Sequence, residues 1–181
     1  MKKIALIISI LSIFASSCTT TYKPIINFSK PVTGTQYEDE SFVFSLGEAF
    51  SCSRLNYKIQ NKTTTNLEID WNRASFVLGD GEAFRIYEGE MKGIDKNKEQ
   101  LFQIIPPSAF KKGVIVSGKG LSYSEYAGWT ADCFFNGNPK SFKGKTMKLA
   151  IPIKINNDFK TFNFELIISE VKASKENMLL H

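Results

Sequence analysis

Histidine is nearly missing from this chain of 181 residues: the one present is His181, the last. Ser-His-Asp and Cys-His catalysis, and histidine-rich zinc sites, are therefore excluded unless that terminal residue takes part. Basic blocks are missing as well. Lys and Arg number 23 against 18 acids, a formal charge of +5, yet no five basic residues run together and no aromatic stacking motif accompanies them. Nothing here argues for nucleic acid as a partner. Long apolar runs are also scarce. The run "IALIISILSIF", Ile4 to Phe14, has eleven residues, and at a rise of 1.5 Å it covers about half of a ~30 Å hydrocarbon core, too little for a membrane span. No stretch keeps a helical apolar period, and no internal repeat or second domain is visible.

What is present begins at the amino end. Met1-Lys2-Lys3 supplies a charged start, Ile4 to Phe14 an apolar centre, and Ala15-Ser16-Ser17 a small-residue exit that runs into Cys18. These are the three regions of an export signal. The junction resembles the lipobox of bacterial lipoproteins, with Ala15 where leucine is commonest. The resemblance implies cleavage before Cys18, a thioether-linked diacylglycerol on its sulfur, and usually a third, palmitate-type chain on the new amino terminus. Each buried methylene contributes about 0.8 kcal/mol and about two chains suffice for stable attachment, so such a group would hold the protein durably on a membrane. Removal of residues 1–17 takes away Lys2 and Lys3, leaving 164 residues and a charge of +3. Thr19 follows the cysteine, whereas aspartate there is the family's usual inner-membrane retention signal. The expected address is the cell envelope, lipid-anchored on the outer membrane and facing the periplasm.

With Cys18 acylated, Cys52 and Cys133 remain as a candidate disulfide in an oxidising compartment, the alternative being two separate buried thiols. A bridge would close about 80 residues, for which loop entropy assigns about 4–5 kcal/mol.

Along the body, period-two alternation dominates. Leu55, Tyr57 and Ile59 point one way while Arg54, Asn56, Lys58 and Gln60 point the other. The turn Asn61–Asn66 leads to Leu67, Ile69 and Trp71 alternating with Glu68 and Asp70, which reads as a hairpin. "SFVL" and "AFRIY" flank Gly79-Asp80-Gly81-Glu82, a second hairpin. "LFQII" and "GVIVSG" supply further short strands. The longest hairpin pairs Met147, Leu149, Ile151, Ile153 and Ile155 with Phe162, Phe164, Leu166 and Ile168 across the turn Asn156–Asp158. About eight short strands predict an all-β fold, a single immunoglobulin-like antiparallel sandwich. The expected organisation is a signal peptide over 1–17, a lipidated tether and lead-in over 18–40, the sandwich over 41–170 and a tail over 171–181.

Two further resemblances bear on the fold. The order Cys52, Trp71, Cys133 resembles that of immunoglobulin domains, although Ala131 stands where their corner tyrosine would be, so the likeness is one of architecture. The succession "NKTTTNLEIDWNRASFVLGDGEAFRI", "IIPPS" and "KGKTMKLAIPIKINNDFKTFNFEL" is similar to uncharacterised bacterial envelope lipoproteins with one small β-sandwich. It implies a fold and an address and carries no catalytic residues.

Candidate chemistry is thin. Ser108-Ala109-Phe110-Lys111 spells S-x-x-K, but Pro106-Pro107 before it and Gly113 after it leave no room for the helix that chemistry needs, so a turn is expected. Gly144-Lys145-Thr146 lacks the upstream glycine of a P-loop, Pro139 standing there. The stretch Asp95–Glu99 suggests calcium, but Ile94 to Pro106 lacks the sixth-position glycine and twelfth-position glutamate of an EF-hand loop. Glu68, Asp70, Asp80 and Glu82 are placed in water by alternation and turn chemistry, where no carboxylate pair would have its pKa values separated. No catalytic residue, metal or cofactor is assigned, and the chain is read as no enzyme. Two surfaces are proposed instead: an interaction patch at Trp129, Phe134 and Phe135, and contact of Lys140, Lys143, Lys145 and Lys148 with anionic head groups. The expected function is a binding or structural module of the envelope, with an envelope protein as the candidate partner. The alternatives are a carrier of a lipid or other apolar ligand, and last a hydrolase.

Overall fold

The computed structural model describes residues 19–89, 99–125 and 128–176; the expected signal, Cys18, the Asp95-centred loop and His181 lie outside them. The chain divides into a body, Tyr22–Lys172, and a second unit of Met1–Thr21 with Ala173–His181, of which little is described. Thirteen strands are described: β1 Thr19–Lys30, β2 Gln36–Glu38, β3 Phe42–Ser51, β4 Arg54–Asn61, β5 Leu67–Ile69, β6 Ser75–Leu78, β7 Ala83–Glu88, β8 Gln103–Ile105, β9 Phe110–Ser117, β10 Ser122–Ser124, β11 Gly128–Thr130, β12 Thr146–Ile155 and β13 Asp158–Glu176. The fold is all-β and antiparallel, with 11 strands in one sheet where about eight were expected. The strands of this sheet that the sequence reading passed over are β1 and β2, both within the segment read as tether and lead-in.

The sheet runs β1-β13-β12-β6-β7-β9-β4-β3-β2, with β5 beside β12 and β8 beside β5. Its bend lies in β7. Ala83–Arg85 pair with β6, whereas Ile86–Glu88 pair with β9. At the other side, β1 and β2 are consecutive in the chain and the segment between them is tied to both neighbours: Phe28 and Gly34 bridge, and the Leu46 amide donates to the Thr35 carbonyl. The sheet thus nearly closes on itself in a barrel-like arrangement.

The patterns that predicted strands do bury the predicted residues. Leu55, Tyr57 and Ile59 are in the core, as are Met147, Leu149, Ile151, Ile153, Phe162, Phe164, Leu166 and Ile168. The turn between β12 and β13 holds Asn156 and Asn157 at φ 50° and 73°, the left-handed pair that a two-residue hairpin with right-handed twist needs. Pro152 is tolerated in a central strand because it sits where the neighbour of β12 changes, from β6 at Met147–Ala150 to β5 at Ile153–Lys154. Aromatic rings from β1, β3 and β13 fill the interior: Phe28, Phe44 and Phe164 lie with centroids 5.2 to 5.7 Å apart.

Three expectations are corrected. Residues 18–40, read as a tether, contain β1 and β2, and Ile26 and Phe28 are core residues. The scattered apolar positions and Pro24 hid a strand, and Pro24 is acceptable because β1 ends the strand order. The residues from 171 onward, read as a tail, continue β13 to Glu176. Finally, β4 and β5 form no hairpin: β4 pairs with β3 and β9, and β5 with β8 and β12. Asn61 causes the turn away. It is fully buried, its Nδ2 donates to the Thr65 and Ile105 carbonyls at 2.7 and 2.9 Å, and its Oδ1 accepts from the Thr63 amide and hydroxyl, both at 2.8 Å. A side chain satisfied on all sides at a strand end makes a corner that carries the chain out of one pairing and into another.

Candidate functional site

Cys52 and Cys133 are joined by a disulfide across 81 residues of sequence. The bridge pins the segment after Cys133 onto the core, where the Phe134 amide donates to the Cys52 carbonyl at 2.9 Å. Phe134 and Phe135 are consequently buried, Phe134 edge-on to Phe76 at 5.0 Å and Phe135 beside Phe142 at 5.6 Å. The interaction patch expected there is corrected on this ground, and the side chain of Trp129 lies outside the described residues. The four lysines expected at head groups are dispersed. Lys145 covers the Phe135 and Phe142 rings, Lys140 lies over Tyr22, Lys148 stands across from Glu165, and Lys143 is exposed. Phe142, expected to interleave with them, belongs to the core. Ser108 has φ 59° in the turn from β8 to β9, closed by the Ala109 amide on the Pro106 carbonyl, so S-x-x-K is a turn.

The acidic stretch Asn66–Glu90 divides three ways. Asp80 and Glu82 are exposed in the turn from β6 to β7, and Glu68 on β5 pairs with Lys154 at 3.1 Å. Asp70, placed in water by alternation, is buried instead: the chain leaves β5 at Ile69, and its carboxylate accepts the Asn72 and Arg73 amides and the Arg73 side chain. It closes a turn.

The densest polar network joins this turn to β4, β7 and β8. The Tyr57 hydroxyl lies 3.0 Å from Glu88 Oε1 and 3.1 Å from Gln103 Oε1, and the Trp71 indole donates to the same Gln103 oxygen at 3.3 Å. Gln100 donates from Nε2 to the Trp71 and Ile86 carbonyls and accepts the Glu88 amide, while Asn72 exchanges bonds with its backbone. Burial, then the neighbouring Glu88 charge and the bond to it, push the Tyr57 hydroxyl well above its ordinary range. A phenol held so firmly protonated is a donor to a fixed carboxylate, not a proton-transfer group at neutral pH. The network locks three strands together, and it was invisible in the sequence because Gln100, Gln103 and Glu88 come from separate elements.

A surface the sequence reading passed over lies beside it. Leu101 is 89% exposed, Phe102 51% and Ile104 57%, and Phe102 meets Phe159 of β13 at 6.1 Å, with the Arg73 guanidinium 4.8 Å above the Phe159 ring. Gln103 and Ile105 point inward, so Ile104 must point out. β8 pairs with β5 alone, leaving its second edge without a strand among the described residues. The sequence signal was "LFQII" itself: apolar residues at both parities of a short strand cannot all be buried by one layer. No metal-binding cluster of His, Cys, Asp and Glu is found among the described residues. No protein-family model, curated protein or solved structure matches the chain.

Proposed function

We propose that this is a lipid-anchored protein of the bacterial envelope, held at Cys18 on the outer membrane and facing the periplasm, whose body binds an extended segment of another envelope protein along β8. The observation that carries the reading is an apolar surface, Leu101, Phe102 and Ile104 with Phe159 of β13, at a strand, β8, whose second edge pairs with no strand among the described residues. Native proteins blunt such edges with charge or cover, because an uncovered one templates pairing. An added strand would satisfy the free backbone groups while its side chains cover Leu101 and Ile104, each contributing about 1.5–3 kcal/mol if fully buried.

The carrier alternative requires a cavity inside the barrel. Phe28, Phe44 and Phe164 occupy the region between β1, β3 and β13, so a binding module is favoured. The immunoglobulin-like sandwich remains part of this proposal, supported by the division of β7 between β6 and β9, which folds the strands into two layers about that point.

Two substitutions in the full chain test the reading. Cys18→Ser removes incorporation of a palmitate analogue and releases the protein from the membrane fraction; retained label would refute the anchor. Ile104→Glu, at an exposed position, leaves the melting temperature within about 2 °C but shifts the protein out of its native-gel complex. An unchanged complex would refute the docking edge.

A further inference from the structure

The outward face of β3, β4 and β9 holds a pair that strand chemistry alone disfavours. Lys58 on β4 and Lys112 on β9 are direct cross-strand partners, and their Cβ positions outside the sheet place two like charges about 4.5–5.5 Å apart at the root. Five lysines pair with acids, Lys30 with Glu165, Lys62 with Glu38, Lys111 with Glu88, Lys119 with Glu82 and Lys154 with Glu68, while Lys140, Lys145 and Lys160 lie singly over rings. Lys58 and Lys112 have no acid at ion-pair distance among the described residues. Both are steered by one ring instead, their ammonium groups lying 4.7 and 5.8 Å from the centroid of Phe110, which is 57% exposed.

Beside them the face is hollowed. An open trough of about 510 Å³ is lined by Ser45, Gly47, Asn56, Lys58, Lys112 and Val114 among others, and no carboxylate lines it. At its edge Gly47 lies close against Asn56, where a Cβ would come to 3.0 Å from the Asn56 Cβ. The Asn56 amide and the Ser45 hydroxyl beside the two lysines already donate to the Glu48 carbonyl and to Gln36 Oε1, so the two ammonium groups, gathered at the Phe110 ring, are the charged donors this face offers an anion.

We infer that the Lys58–Lys112 pair is a clamp for a phosphate-type anion, carried on a small molecule or on a lipid head group. This site is independent of the β8 edge. The anion, rather than a protein carboxylate, then completes the like-charge register.

The test reads each lysine separately. The purified full chain in neutral detergent is exposed to an amine-acylating reagent, and modification is followed by peptide mass spectrometry with inorganic pyrophosphate, with glycerol phosphate, or with sodium chloride at matched ionic strength. Pyrophosphate at ten times its dissociation constant slows modification of Lys58 and Lys112 about tenfold and leaves Lys143 unchanged. Equal slowing by chloride, or equal slowing at Lys143, would mean plain screening and overturn the proposal. Vesicles of phosphatidylcholine with and without phosphatidylglycerol distinguish the sources: protection by the anionic vesicles but not by glycerol phosphate assigns a membrane head group, and protection by both assigns the phosphate itself. Protection by no phosphate probe overturns the clamp. Lys112→Gln removes the protection of Lys58. Lys112→Glu, by turning a like-charge pair into an opposite-charge pair, removes the protection and raises the melting temperature; a lowered melting temperature would show Lys112 to be structural and overturn the inference.

Discussion

Gly113→Ala adds one methyl group at the point where the polar network is tightest. Gly113 stands directly across from Tyr57, and a Cβ there would lie 2.7 Å from Tyr57 Cε1, 2.8 Å from its hydroxyl and closer still to Glu88 Oε1. Neither neighbour can yield freely. The Tyr57 ring packs on Trp71 at 5.5 Å and on Phe44 at 6.0 Å, and its hydroxyl is held by Glu88 and Gln103. Moving it loses a hydrogen bond to a charged group, about 1.5–3 kcal/mol, and overpacks the core, about 1–3 kcal/mol. Replacing a strand glycine returns about 0.5–1 kcal/mol. The net expectation is a loss of about 2–5 kcal/mol, read as a urea midpoint lower by about 1–2.5 M at an m-value near 2 kcal/mol/M. In a Tyr57→Leu background, which lacks the ring edge and hydroxyl, the same substitution costs less than about 1 kcal/mol, and the cycle isolates the contact. A parental midpoint for Gly113→Ala, or an equal drop in both backgrounds, would refute the reasoning.

Alkali tests the tyrosines. Burial and Asp39 push Tyr37 up to about 12, and Tyr57 is raised further still. Both folded values exceed the unfolded value of about 10, so their contribution to stability is full below pH 10 and is lost as pH rises beyond it. Tyrosinate absorbance should show the Tyr57 step only with unfolding; a Tyr57-dependent step near pH 10 in folded protein would contradict this. Asn61→Ala leaves the buried Ile105 carbonyl without its side-chain donor and costs about 2–4 kcal/mol in denaturant melts, and Asn61→Asp, which cannot donate, fails to restore it. Reduction of Cys52–Cys133 adds two hydrogens to the intact mass and lowers stability by about 2–5 kcal/mol; an unchanged mass would exclude the bridge.

Much of the local structure was legible because it is local. Alternation at Leu55, Tyr57 and Ile59 and the Asn156-Asn157 turn follow from periods and φ angles that neighbouring residues set. Pairing was legible for the β6–β7 and β12–β13 hairpins but not for β5, since Asn61 diverts the chain there through bonds to Ile105, 44 residues away. Burial failed where covalent or polar ties overrode pattern: Phe134 and Phe135 are drawn inward beside the disulfide, and Asp70 is buried because it closes a turn. The surfaces now singled out come from juxtaposition. Lys58 and Lys112 are far apart in sequence and meet only through the register of β4 and β9, and Phe102 beside β8 meets Phe159 of β13 only in the folded chain.

The proposed docking edge is tested most directly by placing a photo-activated crosslinking residue at position 104 of the full chain in its native membrane, with position 143 as the control. The expected result is one discrete adduct from position 104, shared with position 101 and absent from position 143. No adduct from position 104, or the same adducts from all three positions, would contradict it.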